Sequence, residues 1–377
     1  MNFEFSDGAR EIGAEARKVL EGRNARVGAR QVLNGATAYD SELWSLVASL
    51  GWLGAAIPEA DGGWGGDHEA LCQVAQEIGR AGAAMPFSSS VYFAITAIQQ
   101  YGSVAQKKQY LPDLVSGKSI GTFCLAEERG DPQQSVVEAT VTDGLLSGTK
   151  WPVPDGMIAD LGIVVAKDSD SDIYSTGLYV VRLNGPGVSR KRLDSIDPTR
   201  EIAHVEFKAV HAERLAAAPR GGLAVDALLN QAAVLLAFEQ IGGAQACLDM
   251  AVEYARNRYA FGRPIGSLQA IKHKLADIYV AVELARSNAY FAAWALSNGA
   301  PELAIAAATA RVSACDAFHL AATENIQTHG GFGVTWDADC HLYLRRSEWL
   351  ALVVGSSRSW KEQIMTELTQ HPEYVAD

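Results

Sequence analysis

The sequence predicts an α+β protein in which a β-rich unit lies between two helical units. Apolar residues recur every three or four positions before about residue 120 and again after about residue 220. Between these regions they form short strand-like runs separated by Gly, Asp, Ser and Pro. Alanine, a strong helix former, is abundant after residue 230. We therefore expect an N-terminal helical domain over 1–120, a middle β-domain over 121–220 and a C-terminal helical domain over 221–377.

Short helices are predicted throughout the N-terminal domain. One begins near Ser41, where apolar positions are three and four residues apart. A glycine-rich break follows, after which Asp67 is placed to cap the next helix. Two further helices are predicted over 91–101 and 104–115, and Gly117 ends the helical pattern.

The middle domain is predicted to be a small β-sandwich or barrel. Asp143-Gly144 lies between apolar runs at 136–141 and 145–148, which indicates a hairpin. The runs at 161–166 and 177–181 are typical of buried strands, and 203–207 alternates apolar and polar residues. The sequence does not distinguish the two architectures.

Long helices are predicted in the C-terminal domain, over 224–258, 268–296 and 301–327. The second carries one apolar stripe, made of Leu268, Ile271, Leu275, Ile278, Val282 and Ala285. Helices this long and this apolar pack as a bundle and often bury a face against another subunit.

Composition excludes several classes of function. The formal net charge is −12, which argues against nucleic acid or an anionic membrane surface as the main partner. The five cysteines are widely spaced without a C-x-x-C pair, so we expect neither a disulfide framework nor a zinc site. We also expect no signal peptide and no membrane span, and hence a cytoplasmic protein.

Two motifs could hold an anionic cofactor. The first runs from Arg258 to Gly266, with Gln269 shortly after it, in the break between two long helices. Arginine at such a corner can bind phosphate through two hydrogen bonds. The second runs from Gln327 to Thr335, and its glycines permit close approach of the backbone to a pyrophosphate. Each motif alone is more often an ordinary helix corner or cap.

Together and in this order, the motifs resemble those of the acyl-CoA dehydrogenase family. The resemblance covers nearly the whole chain and includes six segments: Leu50–Gly54 with Pro58-Glu59, Phe123–Glu128, Gly148–Trp151, the two motifs above, and Asp339–Arg346. It implies a middle β-barrel or sandwich, a C-terminal four-helix bundle, and FAD as the cofactor. The implied reaction is α,β-dehydrogenation of an acyl-CoA thioester. Electron-transfer flavoprotein is the implied acceptor, and the implied assembly is a homo- or heterotetramer.

The resemblance also implies roles for individual residues. Arg258 and Gln269 would contact the diphosphate of an FAD held mainly by a neighbouring subunit, and Phe261 would line its cleft. Gln327, Gly330 and Gly331 would reach the adenosine end of that FAD. Trp151 would lie near the isoalloxazine in the chain's own site.

The catalytic base is where the chain departs from the family. Many members carry it in a Tyr-Glu-Gly-Thr stretch, which the corresponding region, 344–355, lacks. Others carry it where this chain has Ala232. Glu239 is the replacement candidate, because an apolar stretch raises a carboxyl pKa toward neutrality. Together with Gly242 and Gly243 it resembles members that form heterotetramers for steroid side-chain degradation. Glu348 is a second candidate.

Two missing hydroxyl groups leave alternative functions open. The family usually has Thr where this chain has Ala126, and Thr or Ser where it has Val153; those hydroxyls bind the flavin ring. The chain is therefore either an FAD-dependent dehydrogenase with Glu239 as base, or a non-catalytic partner subunit that completes a paralogue's FAD site. An oxygen-using relative, such as an acyl-CoA oxidase, is a third interpretation.

Overall fold

The computed structural model describes residues 5–128, 130–134, 136–169, 175–219 and 222–375, and it confirms the helix–β–helix fold class. The N-terminal helices are α1 (Asp7–Arg23), α2 (Ala25–Leu33), α3 (Ser41–Ser49), α4 (His68–Ala81), α5 (Thr96–Tyr101) and α6 (Val104–Val115). As predicted, Asp67 caps α4, its side chain accepting a hydrogen bond from the Ala70 N–H at 2.9 Å.

The predicted helix over 91–101 differs in its first part, where Ser88–Ile95 is a π-helical segment that leads into α5. The serine hydroxyls of this segment bond to the β-domain. Ser89 donates to Asp155 at 2.5 Å, and Ser90 accepts from the Gly121 N–H at 3.1 Å. Such segments are often found at functional sites.

The middle domain is a closed barrel rather than a sandwich. Its strands are β1 (Gly121–Cys124), β2 (Thr140–Thr142), β3 (Leu145–Pro154), β4 (Leu161–Asp168), β5 (Ser175–Arg182), β6 (Val188–Leu193) and β7 (Ile202–Arg214). Pairing runs from β4 through β5, β7, β3 and β2 back to β4, which closes a ring of five strands. β1 pairs with β4, and β6 pairs with β7, outside this ring.

The predicted hairpin is present, with Asp143 and Gly144 both at positive φ. Its first strand, however, begins at Thr140 instead of residue 136. The reason is a side chain: the Glu127 carboxylate accepts hydrogen bonds from the N–H groups of Glu138 and Ala139, so these residues do not enter the sheet. The sequence did not predict β6, because its residues are mostly polar.

The described part of the C-terminal domain has five α-helices where the resemblance implied four: α7 (Leu223–Asn257), α8 (Gln269–Asn298), α9 (Leu303–His329), α10 (Cys340–Leu352) and α11 (Ser357–Gln370). α9 packs against α7, α8 and α11, and α10 lies across α7 and α9. Within the predicted stripe of α8, Ile278, Val282 and Ala285 are buried, as expected of a bundle.

α7 is long and apolar enough to cross a bilayer, although 83% of its most apolar window is buried inside the protein. It is therefore the core helix of the bundle. All five cysteines are unpaired and buried. The described residues contain no cluster of His, Cys, Asp or Glu that could hold a metal ion.

Candidate functional site

The first motif forms a tight corner between α7 and α8. Tyr259–Ala260 pairs with Arg263–Pro264, and Phe261 and Gly262 between them have φ of 55° and 75°. Both are left-handed, a conformation that strains a phenylalanine. The Phe261 side chain is 92% exposed. Packing within the described chain therefore does not explain an aromatic residue at this strained position.

The second motif follows the end of α9. Gly330 has a φ of 60°, which favours glycine. Gly331 does not have positive φ, and a Cβ on it would meet no atom within 4 Å. The packing of this chain therefore does not require glycine at 331. The bare backbone leaves room for another molecule to approach closely.

Aromatic stacking holds the two motifs at one end of the bundle. The Tyr254 ring at the end of α7 stacks on His329 at 4.1 Å and lies parallel to Phe332 at 6.5 Å. Arg258 follows one turn later, its N–H donating to the Tyr254 carbonyl at 2.8 Å. The resemblance implies that the exposed motif residues contact an FAD held mainly by a neighbouring subunit, and we therefore call them the lending face: Arg258, Phe261, Gln269, Gln327, Gly330 and Gly331.

An arginine from the N-terminal domain fixes the segment after the second motif, a contact that the sequence did not reveal. Arg30 donates to the Asp339 carboxylate at 2.8 Å and to the carbonyls of Trp336 and Asp337 at 2.8 and 2.7 Å. These three bonds use the planar fork of the guanidinium. The segment after the second motif is therefore braced by α2.

A central cavity lies where the π-helical segment, β1, β3 and α10 meet. Its volume is about 20 Å³, which is room for little more than one water. No carboxylate or imidazole is among its described lining residues. Its two hydroxyls are engaged: Ser88 accepts from Arg200 at 2.9 Å, and Ser89 donates to Asp155.

Trp151 lies in β3, beside this cavity. Its backbone N–H donates to the Ala126 carbonyl at 2.9 Å, and its ring centroid is 6.0 Å from that of His204. Ala126 lines the cavity, whereas Val153 is fully buried and packs near Gly156. Neither side chain can donate a hydrogen bond.

The structure places both usual base positions in apolar surroundings. In the region 344–355, Val353 and Val354 line the central cavity. Ala232 is fully buried in α7. Neither the two valines nor Ala232 offers a group that could take a proton. The carboxylate of Glu348 lies on the outer side of α10, where it is 2.7 Å from His319 Nδ1.

Glu239 is buried in the interior, with 1% of its surface exposed. Its Oε2 accepts a hydrogen bond from Tyr92 at 3.3 Å, and its Oε1 lies 3.8 Å from Arg346 Nη1. Burial raises the pKa of this carboxyl, against the opposing effect of Arg200 and Arg346. It does not line the central cavity.

The glycines after Glu239 serve close helix packing. A Cβ on Gly242 would come within 1.8 Å of the Gln76 carbonyl oxygen on α4, and one on Gly243 within 2.4 Å of the Phe318 ring. Glycine at both positions therefore permits the close packing of α7 against α4 and α9.

A buried ionic network lies between Glu239 and the central cavity, and the sequence did not predict it. Arg200 donates to Asp155 at 2.6 Å, and its guanidinium carbon lies 4.2 Å from the centre of the Trp349 ring, which lines the cavity. Arg346 donates to Asp197 at 2.6 Å. The network joins β3, the loop before β7, and α10.

The helical unit, the barrel and a bundle with an exposed arginine corner together match the fold of a flavin-dependent dehydrogenase. Residues 6–118 match the acyl-CoA dehydrogenase N-terminal domain, and residues 220–369 match the C-terminal domain. The chain belongs to the acyl-CoA dehydrogenase family, FAD-dependent oxidoreductases that act on the CH–CH bond of acyl-CoA.

Individual relatives are similar over nearly the whole chain. Acyl-CoA dehydrogenase IpdE2 of Mycobacterium tuberculosis is 34% identical over 89% of this chain and 89% of its own length. The ChsE4-ChsE5 complex of the same organism contains a chain with 28% identity and a TM-score of 0.88, covering 98% and 99% of the two chains. A chain of the Tcur3481-Tcur3483 steroid ACAD is 29% identical with a TM-score of 0.87, and the match covers 97% of this chain and 99% of that one.

Two parts of the chain fit FAD differently. The lending face offers a guanidinium, two amides and bare backbone, which suits the diphosphate and adenosine parts of FAD. The central cavity has too little volume for a flavin ring, and its hydroxyls are already bonded to Arg200 and Asp155.

Proposed function

We propose that this chain is one subunit of a two-chain acyl-CoA dehydrogenase and lends its exposed motifs to an FAD held mainly by the other chain. One contrast supports the proposal. All residues of the lending face are exposed, whereas the chain's own central cavity is small and lacks a described carboxylate or imidazole. In this arrangement the other chain supplies the base that removes the α-proton.

Each residue of the lending face has a stated task in the proposal. Arg258 and Gln269 would bind the diphosphate, where a guanidinium can make paired hydrogen bonds. Phe261 would cover the cofactor's cleft, and Gln327, Gly330 and Gly331 would contact the adenosine. Bound FAD would accept the hydride from the β-carbon.

Purification with and without the second chain tests the proposal. The chain alone should be colourless, and co-expression with a paralogous chain should give a yellow complex with activity. Arg258→Ala in the complex should weaken FAD binding at least about tenfold, since charged hydrogen bonds contribute about 1.5–3 kcal/mol. Arg256→Ala, an exposed arginine on the last turn of α7, is the matched control. Stoichiometric FAD and turnover by the chain alone would overturn the proposal.

The second candidate is a single-chain dehydrogenase in which Glu239 is the base and Trp151 lies beside the flavin. The raised pKa of the buried Glu239 carboxyl favours it. If Glu239 is the base, Glu239→Gln should lower kcat at least about 100-fold while flavin content stays unchanged. If the proton is removed in the other chain, kcat should change little.

The proposal extends to substrate, acceptor and assembly. The IpdE2, ChsE4-ChsE5 and steroid ACAD relatives support a steroid-derived acyl-CoA as substrate and a heterotetramer as the assembly. Electron-transfer flavoprotein is the proposed acceptor, by analogy with the family. The five unpaired cysteines support the cytoplasm as the proposed location.

A further inference from the structure

A second cavity, of about 100 Å³, lies between the π-helical segment, α5, α4 and α7. We call it the amide cavity. Its lining includes the apolar residues Leu53, Ile57 and Leu71 and the polar residues His68, Gln99, Gln100 and Gln231. An engineered cavity of about 150 Å³ binds benzene, so this one suits a group of about four non-hydrogen atoms.

Two buried polar atoms of this lining have no partner among the described residues, His68 Nδ1 and Gln99 Oε1. Asp61 fixes the orientation of the Gln99 amide by accepting from its Nε2 at 3.1 Å. Gln100 and Gln231 bond to each other. Leaving a buried polar atom unpaired costs about 1–3 kcal/mol, so two in one cavity point to a bound molecule that pairs with them.

The lining determines the chemistry of that molecule. The oxygen of Gln99 can only accept, so the occupant must carry a donor. Burial lowers the pKa of His68, which keeps its ring neutral. No Asp, Glu, Lys or Arg is among the described lining residues, so a charged occupant would lose its hydration without compensation. The apolar lining residues favour carbon in the rest of the occupant.

We propose that the amide cavity binds an uncharged apolar group of about four non-hydrogen atoms that bears a hydroxyl. Gln99 Oε1 accepts the hydroxyl hydrogen, and His68 Nδ1 donates to the hydroxyl oxygen. The group is either a free small alcohol or the end of the substrate's acyl chain. The second source rests on the proposed function; Gln231, beside Ala232 on α7, brings the cavity next to a usual base position.

Ligand-detected NMR titration of the full-length chain tests the hydrogen bond. The probes are 1-propanol and 1-fluoropropane, which match in size but differ in the O–H group. We expect 1-propanol to bind about tenfold more tightly. Gln99→Leu should abolish this preference, and Gln363→Leu, at a glutamine outside this cavity, should keep it. A purely structural role of Gln99 would weaken both probes alike. Equal affinities in the wild type, absence of binding, or an unchanged preference in Gln99→Leu would overturn the proposal.

A competition experiment in the flavin-loaded two-chain complex distinguishes the two sources. Acyl-CoA thioesters of increasing length, with and without a terminal hydroxyl, are added to complex holding 1-propanol. If only the hydroxylated thioesters displace 1-propanol, the bound group is the end of the acyl chain. If no thioester displaces 1-propanol, the bound group is a free alcohol. Because propanol binding requires neither flavin nor a second chain, failure of the proposed function would leave the first experiment interpretable.

Discussion

At the scale of single residues, Glu239 links stability to pH. Burial raises its carboxyl pKa above the ordinary value of 4.5. The folded protein therefore binds this proton more tightly than the unfolded chain does. The stabilisation that comes from this bound proton is fully present below the pKa that Glu239 has in the unfolded chain. It is lost as pH rises through the pKa that Glu239 has in the folded protein.

Glu239→Gln should remove this dependence. Relative to the variant, the wild type should lose stability as pH rises above the ordinary carboxyl pKa of 4.5. Thermal unfolding at several pH values measures the difference, and Glu348→Gln, on the outer side of α10, controls for the loss of a carboxylate. A difference in stability between wild type and Glu239→Gln that stays constant at all these pH values would contradict the prediction.

Replacing Phe261 should have opposite effects on the stability of the fold and on flavin binding. Asparagine tolerates the left-handed conformation better than phenylalanine does. Phe261→Asn should therefore keep the unfolding free energy or raise it by up to about 1 kcal/mol, while flavin content of the two-chain complex falls. Chemical denaturation and flavin absorbance measure the two effects. A variant with lower stability and full flavin content would assign Phe261 to folding.

At the scale of elements, the contact between α4 and α7 depends on paired glycines. A Cβ on Gly79 would come within 1.8 Å of the Glu239 carbonyl oxygen, and the same distance separates a Cβ on Gly242 from the Gln76 oxygen. Backbone atoms cannot give way as a flexible side chain can. This close approach also holds Glu239 in the interior.

Gly242→Ala should therefore destabilise the protein by about 1–3 kcal/mol, the usual cost of overpacking. Gly331→Ala is the matched control, because a Cβ there meets no atom within 4 Å and stability should change by less than about 0.5 kcal/mol. Urea denaturation of both variants measures the contrast. Equal losses in the two variants would show that the close contact between α4 and α7 does not control the result.

Local sequence patterns predicted those helices that are determined by interactions between residues close in the chain. The bounds of α3, α6, α7, α8 and α9 follow the predicted ranges closely, because capping and periodicity determine them. Closure of the barrel was not predictable, since the parallel β2–β4 contact joins segments distant in the chain.

The same contrast between local patterns and contacts of distant segments applies to the candidate site. The lending face was predicted from contiguous motifs, and its residues do lie at the surface. Arg200 and Arg346 were not predicted to form a buried network. In the sequence they are indistinguishable from surface charges, because their partners Asp155 and Asp197 come from other parts of the chain.

At the scale of the whole molecule, α8 presents an apolar face to the outside. Tyr279, Val280 and Leu284 are 57%, 55% and 62% exposed. These residues lie beside the buried stripe, on the helix that begins at Gln269 of the lending face. A neighbouring subunit that covered this face would be continuous with the proposed FAD contact.

Leu284→Glu should therefore prevent assembly without unfolding the chain. An exposed leucine contributes little to the fold, whereas an unpaired carboxylate buried at an interface costs several kcal/mol. Light scattering after size-exclusion chromatography should show smaller species, and flavin should be lost with assembly because the lending face no longer meets its partner. Met365→Glu, at an equally exposed apolar residue on α11, should leave assembly unchanged. If Leu284→Glu assembles normally and keeps its flavin, the interface lies on another face.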